Sequence, residues 1–171
     1  MQTTQNRTEV SPQLGRYRID PSGSSVTFRT RHLFGLAPVR GRFALRAGIV
    51  DVTEPLSGSR VTAEIDAASF HTGNPMRDAQ VRSAGFLGTA EYPVLAFSSE
   101  DFDGQVLAGT LTVRDVTRPV SVRAEVTDVS AREFTARATV RIDRYDFGLT
   151  ASRGLAGRYV DVTVEVRCVR S

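Results

Sequence analysis

The sequence predicts an all-β protein, an antiparallel barrel that carries one short helix over about residues 75–84. Three observations predict it. Apolar and polar residues alternate with period two through most of the 171 residues, which is the spacing of half-buried strands. Turn clusters such as DPSGSS (20–25), EPLSGS (54–59) and DFDG (101–104) punctuate the alternation. About nine strands joined by short turns fold as sandwiches or barrels. Here the strands are one-sided throughout and none is polar on both faces, which favours closure over open edges.

Residues 1–15 are polar, with few apolar anchors, and read as a flexible arm ahead of a single domain over 16–171. Tyr17 and Ile19 alternate with Arg16 and Arg18 in a first short strand. Val26, Phe28, Thr30 and His32 share the inner face of the next. Val39, Gly41, Phe43 and Leu45 follow, against Arg40, Arg42 and Arg46, which read as a solvated strand face. Gly41 inside a strand signals a bend or a close approach. Ile49–Val52 reads as a separate short strand, and Val61, Ala63 and Ile65 face inward after the next turn.

The alternation stops between Phe70 and Phe97. Asn74 before Pro75 is a helix start: Asn accepts from free N–H groups, and Pro at the first position loses no hydrogen bond. Met76, Ala79, Gln80 and Ser83 fall on helical spacing, and Gly85 is placed to end the turn. A lone helix between two β halves covers an open end of the sheet, as plug or lid. Period two then returns with Leu95 and Phe97, with Leu107 to Val113, and with Val120 to Val126. It continues through Phe134 to Ile142 and ends with Val160 to Cys168.

Hydrophobic residues at 40% and charged residues at 24% are ordinary for a folded domain. All 22 basic residues are Arg, set among 19 acids for a net charge of +3, which does not point to nucleic acid. One cysteine, Cys168, excludes an internal disulfide and reads as a small core residue. The polar N-terminal stretch holds no apolar signal region and no run is long enough to span a membrane, so the expected location is cytoplasmic.

The inward set mixes large rings (Phe28, Phe43, Phe97, Phe134) with Gly41, Ala63, Gly109, Ala136 and Ala138. A packed core matches volumes. Either the rings of one wall fill the gaps of the other, or an apolar cavity remains. The pattern leaves both open.

Several motifs then carry a resemblance. IDPSGSSVTFRTRHL (19–33) and VRGRF (39–43) are two of them. The central stretch adds Thr72-Gly73, Arg77-Asp78, Val81-Arg82-Ser83, Phe86 and Tyr92-Pro93 leading to Phe97. GTLTVRDVTRPV (109–120) has Asp115 at a position usually held by Gly, and IDRYDFGL (142–149) completes the set. From about Tyr17 to Val169 the sequence resembles the YceI-like family, bacterial polyisoprenoid-binding proteins with a lipocalin-like barrel. The export signal of many relatives is missing.

The resemblance implies an apolar tunnel holding a bound isoprenoid or fatty chain, with no catalytic cofactor. Candidate lining residues are Phe28, His32, Phe43, Leu45, Ile65, Met76, Phe86, Leu95, Phe97, Leu107, Leu111, Phe134, Val140, Ile142 and Phe147. Met76, Phe86 and Leu87 are expected to cover the mouth. His32 and Arg77 are candidates for a polar head group. Arg77 and Asp78, with Arg144 and Asp146, are read as structural, tying the helical insertion to the barrel loops. Neither His71 nor any neighbour has metal-ligand spacing, and no hydrolase, zincin or phosphate-loop motif occurs.

The favoured function is non-catalytic transport or sequestration of a polyprenyl or quinone-like lipid, in isoprenoid metabolism or a stress response. Two alternatives stand beside it: an enzyme using His32 or Arg77 in the same pocket, and a ligand-free scaffold or stress protein. Expected partners are the apolar ligand, with no nucleic acid and no stable membrane insertion; a homodimer stays open.

Overall fold

A computed structural model describes residues 11–32, 36–152 and 156–171. Nine strands form one antiparallel sheet: β1 (Gly15–Ile19), β2 (Ser25–His32), β3 (Ala37–Val52), β4 (Arg60–His71), β5 (Val94–Phe102), β6 (Val106–Val113), β7 (Val116–Val129), β8 (Glu133–Asp143) and β9 (Tyr159–Arg170). The single α-helix, α1 (Pro75–Arg82), lies between β4 and β5. The neighbour order is β1-β3-β2-β9-β8-β7-β6-β5-β4, and β3 also pairs with β4, so the sheet closes on itself. The barrel has eight positions. β1 and β2 share one: β2 pairs with residues 37–43 of β3, and β1 with residues 49–52.

The expected strand at Ile49–Val52 is not separate. It continues β3, which runs for 16 residues with register shifts at Arg42/Ala44 and Leu45/Ala47. The shifts reverse which parity faces inward. The second adds a residue to β3 and marks the change: Val39 and Leu45 are buried up to it, Val50 and Val52 after. Val126, expected inside, is 39% exposed beside a similar shift in β7.

Serine hydroxyls repair the ladder where strands bend. Ala44 N–H donates to Ser69 Oγ at 2.7 Å, Val61 N–H to Ser99 Oγ at 2.8 Å, Thr53 N–H to Ser59 Oγ at 3.0 Å and Arg167 N–H to Ser24 Oγ at 3.0 Å. A strand N–H removed from its carbonyl partner needs such an acceptor. Ser59 and Ser99 are themselves buried.

Two glycines meet the same close approaches. A Cβ at Gly41 would lie 2.3 Å from the Phe28 ring, and one at Gly109 2.3 Å from the Ser98 carbonyl oxygen. Neither therefore opens space inside the barrel, as the sequence reading allowed. Gly41 is filled by Phe28, and Gly109 admits the bulged β5 backbone at Ser99/Asp101.

The end of the barrel that carries α1 is closed by the chain itself. Asn74 Oδ1 accepts from Arg77 N–H at 3.1 Å, and Pro75 opens the helix as predicted. The helix stops at Arg82, short of the predicted Ala84. Gly85 is not the stop; the left-handed residue is Gly88 (φ 56°), whose N–H donates to Ser83 O. The helix faces the barrel with Asp78, Val81 and Arg82, one helical stripe, while Met76, Ala79, Gln80 and Ser83 face solvent. Met76 is 85% exposed. Apolar cover comes from the following turn instead, where Phe86 and Leu87 are buried.

Asp78 is 3% exposed and anchors this segment. Its carboxylate accepts from Thr72 N–H at 3.0 Å and from Thr72 Oγ1, while Arg77 Nε donates to the same hydroxyl at 3.0 Å. The expected link from Arg77 or Asp78 to Arg144 or Asp146 is thus replaced by a local one, to Thr72 in the short link between β4 and the helix. The insertion reaches the barrel loops by other groups. Arg82 donates to Phe70 O, Arg114 to Phe86 O at 3.0 Å, and the Arg144 guanidinium lies 5.8 Å from the Phe86 ring.

Burial raises the Asp78 pKa, but the two Thr72 hydrogen bonds, with His71 and Arg82 nearby, outweigh it and hold the carboxyl below its ordinary value. Its contribution to stability is therefore complete above the unfolded-state pKa and is lost as pH falls through the folded one. Asp78→Asn should cost about 1–3 kcal/mol at neutral pH and expose residues 83–93 to limited proteolysis, with the difference from wild type shrinking in acid. Gly109→Ala should cost about 1–3 kcal/mol in urea denaturation. Gly85→Ala, with open space around it, should be near neutral. Cys168 is fully buried and its thiol is pushed up to about 12 by burial, so a thiol reagent should label it only after unfolding.

Candidate functional site

The barrel interior is the candidate site, and period two places its lining. Phe28, Leu45, Phe86, Phe134 and Phe147 are buried. Phe43, Ile65, Leu95, Phe97, Leu107, Leu111, Val140 and Ile142 are partly buried. Met76 is outside, on the solvent face of α1. The side chain of His32 lies outside the described residues.

The buried side chains form two clusters at opposite ends. One gathers Tyr17, Ile19, Val26, Leu45, Val50, Val52, Phe134 and Cys168, with Tyr17 and Phe134 edge to face at 4.8 Å. The other, under α1, gathers Phe28, Phe70, Leu87, Val113, Phe147 and Leu149. Phe43 and Val162 touch both. Phe28 stacks on Phe70 at 5.2 Å and Phe43 meets each ring at 5.5 Å, so the α1 end of the β2–β3–β4 wall is filled by its own rings.

The facing wall is different. Ala63, Phe97, Leu107, Ala124, Ala138 and Val140 have inward parity and stand outside both clusters. Ala124 and Ala138 lie directly opposite each other across β7–β8. These side chains are inside a closed ring of strands, yet each stays partly accessible. They stand apart from both packed clusters, and Val140 also borders an outer groove with Ser121, Arg141 and Asp161. Among the described residues of these strands the charged neighbours have the alternate parity: Arg123, Arg137, Arg141 and Glu125 are exposed on the outer wall.

The polar candidates are engaged at the mouth. Arg77 is held by Thr72. Arg144 is 7% exposed and donates to the carbonyls of Leu149, Ala156 and Gly157. A buried guanidinium bonded to loop carbonyls positions backbone, and here it folds the segment after β8 against the mouth. Asp146 is exposed. Sequence reading missed Asp143 and Arg158, which form a two-pronged ion pair at 2.8–3.1 Å beside Tyr145 and Tyr159. Their fifteen-residue separation carried no local signal. Among the described residues no group of three His, Cys, Asp or Glu side chains is placed to hold a metal ion.

The chain matches the YceI-like domain over residues 17–168. It is 31% identical over 166 residues to Protein YceI of Escherichia coli, covering 90% of this chain and 86% of that protein. A UPF0312 protein of Shewanella baltica is 29% identical, with 90% and 87% covered. Among solved structures, BcnA of Burkholderia cenocepacia superposes with a TM-score of 0.75 at 20% identity, covering 87% of this chain and 98% of that one. A polyisoprenoid binding domain from Saccharophagus degradans, implicated in plant cell wall breakdown, also reaches 0.75, at 18% identity with 93% and 100% covered. On its closed barrel, its match to the family over residues 17–168 and its 31% identity to a relative covered over 86% of its length, this protein belongs to the YceI-like family.

Proposed function

We propose that the barrel holds one long-chain apolar molecule of the isoprenoid class and carries or sequesters it without chemical change. The observation that bears most weight is the inner wall of β4 to β8. Phe97, Leu107 and Val140 are apolar, face inward, and stay accessible between two packed ends. A methylene moved from water into such a site contributes about 0.8 kcal/mol, so a chain of several isoprene units needs no charged contact to bind. Selection then acts through length and width rather than through a pattern of hydrogen bonds. The likeness to a polyisoprenoid binding domain supports the ligand class. Arg77 is bonded within its own segment, which supports a structural role there over an acid–base one.

Organic extraction of protein purified from cells, followed by mass spectrometry, should release a long apolar chain in near-stoichiometric amount. Ala138→Phe should abolish the bound chain and the displacement of a fluorescent lipid probe, while the melting temperature stays within a few degrees of wild type. An extract with no apolar molecule, together with wild-type protein that takes up no probe, overturns the proposal.

A further inference from the structure

Residues 21–50 contain five arginines and neither Asp nor Glu. The even mixing of charge along the rest of the chain fails here, and the fold concentrates the result. Arg29 and Arg40 are direct cross-strand partners in the β2–β3 hairpin. Like charges in that position repel. Arg42 is two residues beyond Arg40, and its own partner on β4 is His71 rather than an acid. Arg29, Arg40 and Arg42 are all exposed and make no ion pair among the described residues.

On the β9 side, Arg29 is opposite Asp161. That carboxylate is already taken by Arg141 at 2.8 and 3.2 Å. The next acid, Asp143, is taken by Arg158. Between the hairpin and these pairs runs an outer groove of about 550 Å³ lined by Arg29, Arg31, Arg141 and Arg158 with Tyr145 and Tyr159. A barrel wall that assembles repelling arginines, and neutralises the nearby carboxylates with other arginines, is built for an anionic surface.

We propose that this wall docks the protein on a bilayer containing anionic phospholipid. Three exposed side chains at the same end of the barrel favour a bilayer over nucleic acid. Leu36 beside the hairpin end is 82% exposed, Met76 on α1 is 85% exposed, and Tyr159 in the groove is 48% exposed. Apolar and aromatic side chains next to arginines match the layered chemistry of a membrane interface. No described helix is long and apolar enough to cross a membrane, so the contact is peripheral. The docking wall adjoins the helix-capped mouth, and its existence does not depend on what the barrel holds.

The test is co-sedimentation of the full chain with vesicles of phosphatidylcholine alone and of phosphatidylcholine with a phosphatidylglycerol minority. Wild type should pellet with the second only and be released by salt. Arg29→Gln/Arg40→Gln/Arg42→Gln should lower partitioning by about five-fold per arginine, roughly 100-fold together. The corresponding Lys variant should retain it. Leu36→Ser should weaken binding with the salt dependence unchanged, and it keeps the proposal testable if the Gln variant fails to fold. Equal binding to both vesicles, binding to neither, unchanged binding of a folded Gln variant, or salt-sensitive binding to a single-stranded oligonucleotide without vesicle binding each overturns it. Extraction of the same preparation separates this outcome from the cargo reading: protein that carries a chain but ignores vesicles removes the docking wall alone.

Discussion

Closure of the strand ring between β3 and β4 is the constraint on which the structure depends. Once Leu45 pairs with Ile65 and Val50 with Val61, no edge remains and every strand has a defined inside. A free edge exposes unpaired N–H and C=O groups along its length. Closure removes them and converts period-two alternation into a lining and a coat. Apolar volume, polar surface and the two barrel ends all follow from that division.

A closed ring of eight positions must bend, and bending breaks ladder bonds. The chain resolves this with small residues at particular points. Serine hydroxyls replace missing acceptors at Ala44, Thr53, Val61 and Arg167. Gly41 and Gly109 allow a ring and a neighbouring strand to approach backbone. Small residues in this barrel thus have two separate meanings. Gly41 and Gly109 serve close approach, whereas Ala124 and Ala138 leave the wall thin where the interior is least filled.

The helical insertion combines a polar anchor with one apolar contact from the helix itself, Val81. Asp78 is the buried residue of α1, and Phe86 and Leu87 in the following turn do the covering. Arg82, Arg114 and Arg144 hold that end through backbone carbonyls. These arginines fix loops, while those of the β2–β3 hairpin stay on the outer wall. One residue type, used for every basic position in the chain, serves both to hold loop carbonyls, as at Arg144, and to pair carboxylates on the outer wall, as at Arg141 and Arg158.

Strand number, inward parity and the helix start were legible because each is a local property: period two, turn residues, and Asn74 before Pro75. The parity reversal in β3 was not, since the bulges at Arg42/Ala44 and Leu45/Ala47 are a matter of register against β4, which alternation within one strand does not encode. Met76 was misplaced because helical spacing names a stripe without saying which stripe faces in; the Thr72 hydroxyl, by binding Asp78, turned the other one inward. The Asp143–Arg158 pair and the Arg29–Arg40 juxtaposition were hidden for the same reason, as cross-strand register joins residues that no local pattern connects. By itself the sequence determined an alternating β chain with one capped helix and an apolar inner face, because backbone sterics and hydrophobic spacing act over a few residues. Only the tertiary structure decided which glycines were filled, which side chains gathered at the two ends and which charges met, because those are contacts between strands, set by register and closure rather than by local spacing.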